Sequence, residues 1–409
     1  MSPFKISWKS LWSKPLSAAL NILLIAFGTG ILTILMLASS QISEKLENNS
    51  KDIDLVVGAK GSPLQLILSS IYYIDFPTGN IPMKAAMELA RNPLVKKAVP
   101  LALGDNYKGV RIVGTDSNFV GLYKLQVEEG KLWQEDFEAT VGASVAANHQ
   151  LKIGDTFYGA HGLTSASDVH KSHAYTVSGI LNPQGNVTDN LILTNIASVW
   201  KMHEEHDDEP HDHDHAEVDS ANHEHHDQED QELTSLLIQY RSPMSVAIFP
   251  RMVNETTNMQ SASPAQESTR LFSLIGVGVD TLQWFAVLIM LIAAISVFIN
   301  LYNSLKERSY DLAIMRTLGA SRGKLFLIII TEGIVLTIAG TIIGVLLGHL
   351  ALEVIGSNQD SSQARLTGMV LLRDEIYLFA AGLSIGIFAA VIPAIQAYRA
   401  NISKILSKN

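Results

Sequence analysis

One apolar stretch near the N-terminus, residues 17–39, is followed by a long polar region and then by three apolar stretches, 281–302, 325–350 and 376–398. Each is long enough to cross a hydrocarbon layer of about 30 Å, which takes roughly 20 mostly apolar residues. This one-plus-three arrangement makes the chain an integral membrane component and holds one large domain on a single side of the bilayer. A secretory signal peptide is the competing reading of residues 17–39, since Lys5, Lys9 and Lys14 resemble a basic leader and Leu37-Ala38-Ser39 a cleavage site. The apolar core exceeds the roughly 7 to 15 residues of such a leader, which favours a span.

Basic residues set the orientation. Lys5, Lys9 and Lys14 precede the first span; Lys306, Arg308, Arg316, Arg322 and Lys324 crowd the loop between the second and third; Arg399, Lys404 and Lys408 follow the last. The other loop carries Glu353, Asp360, Asp374 and Glu375 against only Arg365 and Arg373. By the positive-inside rule both termini and the basic loop are cytoplasmic, while residues 41–270 and 353–375 lie outside. The expected order is a cytoplasmic segment 1–16, a span 17–39, an extracytoplasmic domain 40–280, a span 281–302, a cytoplasmic loop 303–324, a span 325–350, an outer loop 351–375, a span 376–398 and a cytoplasmic tail 399–409. That makes a multi-pass protein in contact with lipid, with its large domain on the outer side. Nothing in it points to nucleic acid.

There is no cysteine, which excludes disulfides and thiolate metal sites or nucleophiles. The net charge of −10 belongs to one segment: residues 203–232 hold fourteen Asp and Glu and no Lys or Arg, and without them 26 acids face 30 bases.

The outer region predicts an α+β domain with one insert. Asp54-Leu55-Val56-Val57, Val110-Arg111-Ile112-Val113, Tyr175-Thr176-Val177 and Ser245-Val246-Ala247-Ile248-Phe249 read as strands. Residues 82–91 and 143–149 read as helices, with Pro82 suited to a first helical position. Gly154-Asp155 makes a turn between a short helix and a strand, and Leu191-Ile192-Leu193 is a further apolar run after Asp189. Residues 40–51 and 261–279 predict helical stalks that prolong the first and second spans.

Three motifs carry a family resemblance. The loop sequence Lys306-Glu307-Arg308-Ser309-Tyr310-Asp311-Leu312-Ala313-Ile314-Met315-Arg316-Thr317-Leu318-Gly319-Ala320-Ser321 resembles the charged helix ending in Arg-x-x-Gly-Ala-Ser of the FtsX and MacB-like ABC transporter permeases. Val141-Gly142-Ala143-Ser144-Val145-Ala146-Ala147 running to Leu151-Lys152-Ile153-Gly154-Asp155 is similar to that family's extracytoplasmic core, as is Pro393-Ala394-x-x-Ala397-x-Arg399-Ala400 to its C-terminus. The likeness covers nearly the whole chain except the acidic insert. It implies a four-span permease of the bacterial inner membrane with a MacB-like α+β periplasmic domain, a separate cytoplasmic ATPase subunit and a second permease copy, as a homodimer or a pair of paralogues.

By its residues the loop predicts a short interfacial helix, with Leu305, Leu312, Ile314, Met315 and Leu318 on an apolar side, Lys306, Glu307, Arg308, Asp311 and Arg316 on a charged side, and Gly319 as terminator. Such a helix suits a partner or anionic lipid headgroups. The resemblance implies the first: a coupling helix in which Lys306, Glu307, Arg308, Asp311, Arg316, Gly319 and Ala320 contact the ATPase. The chain itself is expected to be non-catalytic. Gly319-Ala320-Ser321-Arg322-Gly323-Lys324-Leu325 falls short of a phosphate loop, because its glycines are one residue too close and Leu325 replaces the hydroxyl that would bind Mg²⁺. ATP is therefore expected only on the partner.

Gly340, Gly344 and Gly348 in the third span and Gly382 and Gly386 in the fourth make surfaces for close helix approach, within one subunit or between two. Glu332 is an intramembrane acid, hence a functional candidate, though snorkelling or a hydrogen bond to a neighbouring helix is the simpler account. Asp280 and His349 sit at outer ends of spans. His149, His161, His170 and His173 are scattered in the outer domain, and His170-x-x-His173 is a weak metal signal.

The insert is the least ordinary segment. His203, His206, His211, His213, His215, His223, His225 and His226 alternate with Asp and Glu, with few apolar residues to fold around. Neutral imidazoles suit Zn²⁺, Cu²⁺ or Ni²⁺, and carboxylates add oxygen ligands. The spacing fits a flexible multidentate cluster with several moderate sites, rather than a stably held cofactor; a solvated acidic loop is the plain alternative. The expected function is thus the permease subunit of an ABC system that moves an outer domain mechanically, with zinc or another transition metal as cargo or signal. Its rivals are metal-independent export or extraction of a peptide, antibiotic or lipoprotein, with a periplasmic or lipoprotein partner, and a metal-sensing receptor without an ATPase.

Overall fold

The computed structural model of the protein describes residues 14–160, 173–204, 231–358 and 365–399, with Ser7, Lys9 and Trp12. The chain divides into two compact units, Glu44–Ser273 and Met1–Ser43 with Leu274–Asn409.

In the first of these, a ten-stranded mixed sheet forms the centre. Its strands are β1 (Leu55–Ala59), β3 (Val95–Tyr107), β4 (Val110–Thr115), β5 (Val127–Gly130), β6 (Glu138–Val141), β7 (Thr156–Phe157), β8 (Tyr175–Leu181), β9 (Ile192–Asn195), β11 (Ser235–Tyr240) and β12 (Met259–Ala262); β2 (Ile81–Pro82) and β10 (Glu232–Leu233) make a separate pair. The order is β12-β1-β11-β3-β4-β9-β6-β8-β5, with β7 paired to β8. Among the described strands, β4 with β9 and β6 with β8 run parallel and the other pairs antiparallel. Runs such as Leu55-Val56-Val57 and Leu236-Leu237-Ile238 are apolar at every position because both faces are covered. Alternate residues turn opposite ways: Val56, Leu237, Val99 and Leu101 join Leu66, Ile67, Tyr73 and Phe119 in one core, while Leu55, Val57, Leu236 and Ile238 join Ala86, Leu89, Phe249 and Val253 in another. A third core holds Ile112, Val141, Val145, Phe157, Tyr175 and Ile192.

The helices of this domain are α2 (Pro63–Ser70), α3 (Met83–Ala90), α4 (Ser117–Tyr123), α5 (Ala143–His149), α6 (Ile196–Glu204) and α7 (Ser245–Thr256), numbered after α1 (Pro15–Ser50). Helix α7 corrects the strand expected at 245–249. Phe249 and Val253, four residues apart, are fully buried, whereas Val246 and Ile248 are about half exposed, so the run follows the helical period and not alternation. The expected second stalk also starts later, since Ser261 and Ala262 belong to β12 and pair with Val57 and Val56.

In the other unit lie the long helices: α1, then α8 (Pro264–Glu307), α10 (Arg322–Ser357) and α11 (Ile376–Arg399). Among the described residues these four are long and apolar enough to cross a membrane. At 1.5 Å per residue they measure about 54, 66, 54 and 36 Å, against about 30 Å of hydrocarbon. Helices α1 and α8 each carry past the boundary at 43/44 and 273/274 without a break in their hydrogen-bonded run.

The glycine stripes pack within one subunit. A Cβ at Gly340 would meet Ile25, at Gly344 Thr29 and Ala26, and at Gly348 Thr33 and Gly30, all on α1. Gly382 and Gly386 of α11 lie in the same way against Thr341 and Thr337 of α10. The hydroxyls of Thr29, Thr33, Thr337 and Thr341 are fully buried and donate to carbonyls one turn back in their own helices, so the seams carry no unsatisfied hydroxyl.

Candidate functional site

The basic loop folds as the nine-residue helix α9 (Ser309–Thr317) between the ends of α8 and α10. Its stop is built from the backbone: Gly319 takes φ +94°, and the amides of Leu318, Gly319 and Ala320 donate to the carbonyls of Ile314, Arg316 and Met315. Only glycine holds that conformation without strain. Ser321 then caps α10, its hydroxyl accepting from the Lys324 amide at 3.3 Å.

One side of α9 is fixed. Leu312 and Ala313 are buried, and Leu312 packs with Leu325, Ile329, Ala394 and Ala397 from α10 and α11, flanked by Leu305 and Met315. Arg308 lines a crevice with Ser304, Leu305, Leu312, Ile328 and Ile329. The Ser7 hydroxyl donates to the Ile328 carbonyl at 2.9 Å. The expected apolar side is therefore correct for Leu305, Leu312 and Met315 and wrong for two residues. Ile314 is 38% exposed and Leu318 83%, and with Tyr310 at 43% they form apolar knobs on the free side. They fall there because the inward face of so short a helix holds only positions 312, 313 and 315–316.

The charged residues are dispersed around this helix. Lys306, Glu307 and Asp311 are exposed, while Arg308, Arg316 and Ala320 are half-buried. Glu307 pairs with Lys14, and the Lys306 ammonium lies 4.6 Å from the centre of the Tyr302 ring. The buried Nε of Arg316 has no hydrogen-bond partner among the described residues. The other side of α9 is thus an exposed surface of Tyr310, Asp311, Ile314, Thr317, Leu318 and Gly319 over a buried underside. Spacing alone misplaced Leu318; the signal that was available is its position beside the helix-ending glycine, where the chain turns outward.

His206, His211, His213, His215, His223, His225 and His226 lie outside the described residues, and His203 falls in the last turn of α6, its side chain likewise outside. His161 and His170 lie outside as well. Of the other outer-domain histidines, His173 stacks on Phe137 with centroids 4.5 Å apart, and His149 sits edge-on to Tyr107, where burial and then Lys108 push its imidazole below the ordinary value. Among the described residues no three His, Asp or Glu are placed to hold a metal ion. Glu332 is 3% exposed inside the helix bundle and so does not snorkel.

The core motif acts through sterics. Gly142 precedes α5, and a Cβ there would run into the carbonyls of Thr188 and Asp189. Asp189 in turn accepts from the amides of Gln184 and Gly185 at 2.8 and 2.7 Å. Gly154, at φ +88°, makes the expected turn.

Four spanning helices, an α+β domain between the first and second, and a capped helix between the second and third define a multi-pass membrane protein with one large domain set between its first two spans. Residues 18–248 match the MacB-like periplasmic core domain and residues 284–402 the FtsX-like permease C-terminal domain. The chain belongs to the FtsX/MacB-like permease family, whose members are ABC transporter components of the inner membrane that work with cytoplasmic ATPases, generally as dimers. No curated protein matches it. Among solved structures, the periplasmic region of MacB from Actinobacillus actinomycetemcomitans aligns at 9% identity over 56% of this chain and 97% of that one, with TM-score 0.34. The extracellular domain of the noncanonic ABC-type transporter YknZ from Gram-positive bacteria aligns at 11% identity over 52% and 99%, with TM-score 0.31.

Proposed function

We propose that α9 is the contact through which a cytoplasmic ATPase drives this permease, and that the permease serves transition-metal handling, with zinc as the favoured metal. In this reading both termini and α9 are cytoplasmic, Lys306, Glu307, Arg308, Asp311, Arg316, Gly319 and Ala320 border the contact, and two permease copies share the ATPase pair. The observation that carries the coupling half is the exposed side of α9, where Tyr310, Ile314 and Leu318 stand over a buried Leu312 and Ala313. Tyrosine is among the residues that most often carry the energy of a protein contact, and Tyr310 stands here with two exposed aliphatic side chains. The metal half rests on the density of histidine between residues 203 and 226.

Co-purification of the ATPase with the full-length permease tests the first half. Leu318→Asp and Tyr310→Ala should each reduce the bound ATPase and its permease-dependent turnover while thermal stability holds; full retention by both would remove α9 from the interface. Deleting residues 205–230 tests the second. Zinc binding to the purified protein and growth under zinc limitation should both fall, and unchanged values in both would leave metal-independent export or extraction as the reading.

A further inference from the structure

The outer loop between α10 and α11 is described from Arg365 onward, and its path is unusual. Gly333, Thr337 and Thr341 of α10 face Ala390, Gly386 and Gly382 of α11, so the two helices run antiparallel. Continued outward, that pairing brings Glu375 beside His349, and the Glu375 Oε1 lies 3.2 Å from the His349 Nε2. Helix α10 runs on to Ser357, so its last eight residues, about 12 Å, stand above the start of α11.

The loop closes that gap by descending along α10. A Cβ at Gly356 would meet the Leu366 carbonyl, and one at Gly368 the His349 carbonyl, which is a fall of seven residues, or about 10 Å. At the bottom stand Met369, Leu371, Ile376 and Tyr377, exposed at 81%, 80%, 67% and 69%.

Helix lengths give the depth. Counting about 20 residues for the hydrocarbon from the basic inner ends places its outer boundary near residue 379 on α11 and near residue 345 on α10. Ile376 and His349 are then each about 5 to 6 Å above that boundary, inside a headgroup layer of about 5 to 7 Å. The two helices agree although they are counted in opposite directions.

The loop's backbone is provided for such a place. The Thr367 amide donates to Gln41 Oε1 and its carbonyl accepts from Gln41 Nε2, at 2.9 and 2.7 Å. The Gly368 amide donates to Glu353 Oε2 at 2.8 Å, and its carbonyl lies 2.5 Å from His349 Nδ1. The Met369 amide donates to Thr367 Oγ1 and the Leu372 amide to Glu375 Oε1. Irregular backbone survives next to lipid only where protein groups take its hydrogen bonds. Glu375 is buried, and Glu353 is bonded to Thr367 and Gly368, so neither acid points its charge at the membrane through this loop. Arg365 and Arg373 are exposed beside the apolar group, and Asp374 is the one exposed acid among the described residues of the loop. An aromatic at the headgroup level and arginines near phosphate are the usual company of an interfacial anchor.

We infer that residues 369–377 lie in the interfacial layer of the outer leaflet and anchor the α10–α11 corner to lipid. This places at the membrane surface a loop that its acids alone assign to open water, and it goes beyond the coupling and metal readings without depending on either.

The natural absence of cysteine makes the test direct. Single-cysteine variants of the full chain at Met369, Leu371 and Tyr377, spin-labelled and reconstituted in nanodiscs, report collisions with oxygen and with a water-soluble nickel chelate. Leu288→Cys, on an exposed face of α8, and Lys152→Cys, in an exposed turn of the outer domain, supply the lipid and water references. The expected result is a loss of nickel relaxation relative to Lys152→Cys with oxygen relaxation approaching that of Leu288→Cys. Relaxation by nickel equal to the water reference would overturn the anchor, and so would protection from both reagents, which would mean that a second copy or another protein covers the loop. As an independent readout, Leu371→Trp should be quenched by lipids brominated near the headgroup end of the acyl chain; absence of quenching would also overturn it.

Discussion

Gly344 of α10 lies against Thr29 of α1 so closely that no Cβ fits between them, and the Ala26 carbonyl closes the same space. Backbone cannot yield as a flexible side chain can. Gly344→Val should therefore lower the stability of the full chain in nanodiscs by about 1–3 kcal/mol, the usual cost of overpacking. Gly276→Ala, at an open helical position, should leave it unchanged or raise it by up to about 1 kcal/mol. Thermal unfolding of the two variants side by side separates a packing effect from a general sensitivity of membrane glycines.

The two leucines of α9 should behave oppositely. Leu312→Ala opens a buried site and should cost about 2–5 kcal/mol, whereas Leu318→Ala removes an exposed side chain and should fall within about 0.5 kcal/mol of the parent. Equal losses in thermal unfolding would contradict the division of the helix into a fixed and a free side.

Acid should weaken the outer domain through Glu138. Lys131, 2.9 Å away, and then the Gln134 amide hold this carboxyl below its ordinary value, while burial acts the other way. A carboxylate whose folded pKa is depressed stabilises the fold above its unfolded pKa and loses that contribution as pH falls through the folded one. The Tm of Glu138→Gln should therefore lie below that of the parent near neutrality and converge with it below the usual carboxylate range. A difference independent of pH would assign the effect to packing.

Gly142 and Gly154, both in the core motif, are glycines for different reasons. A methyl at 142 would strike the carbonyls of Thr188 and Asp189, though its φ of −64° suits any residue. At 154 there is open space, but φ is +88°. Gly142→Ala should cost about 1–3 kcal/mol, and replacing it by another residue should not help. Gly154→Asn should be milder than Gly154→Ala, because asparagine tolerates the left-handed region better. Thermal unfolding of the three variants decides between steric and conformational demand.

These positions also mark what was legible beforehand. The run from Ala143 to His149 forms the helix that its pattern predicts, and the Gly154 turn follows, since both depend on neighbours in sequence. The run Ser245–Phe249 misled because its four β-branched or apolar residues, Val246 to Phe249, fit either period, and only burial of Phe249 and Val253 on a distant core decides for helix. The sheet order, with β11 between β1 and β3, rests on pairings across more than a hundred residues that no local pattern encodes. At the candidate coupling site the helix and its glycine stop were readable, and Leu318 is misplaced by apolar spacing alone although its position beside that stop marks the outward turn. The partners of the glycine stripes had a signal that was available: Ala26, Thr29, Gly30 and Thr33 on α1 repeat at the same helical spacing as the glycines they meet.

That seam works like a toothed rack. Its contacts recur every four residues, about 6 Å along the axis, with Ile25, Thr29 and Thr33 of α1 seated in turn against Gly340, Gly344 and Gly348 of α10. A register between two helices that is fixed at three successive teeth is fixed along the whole seam, and one added side chain at any tooth is felt by the pair.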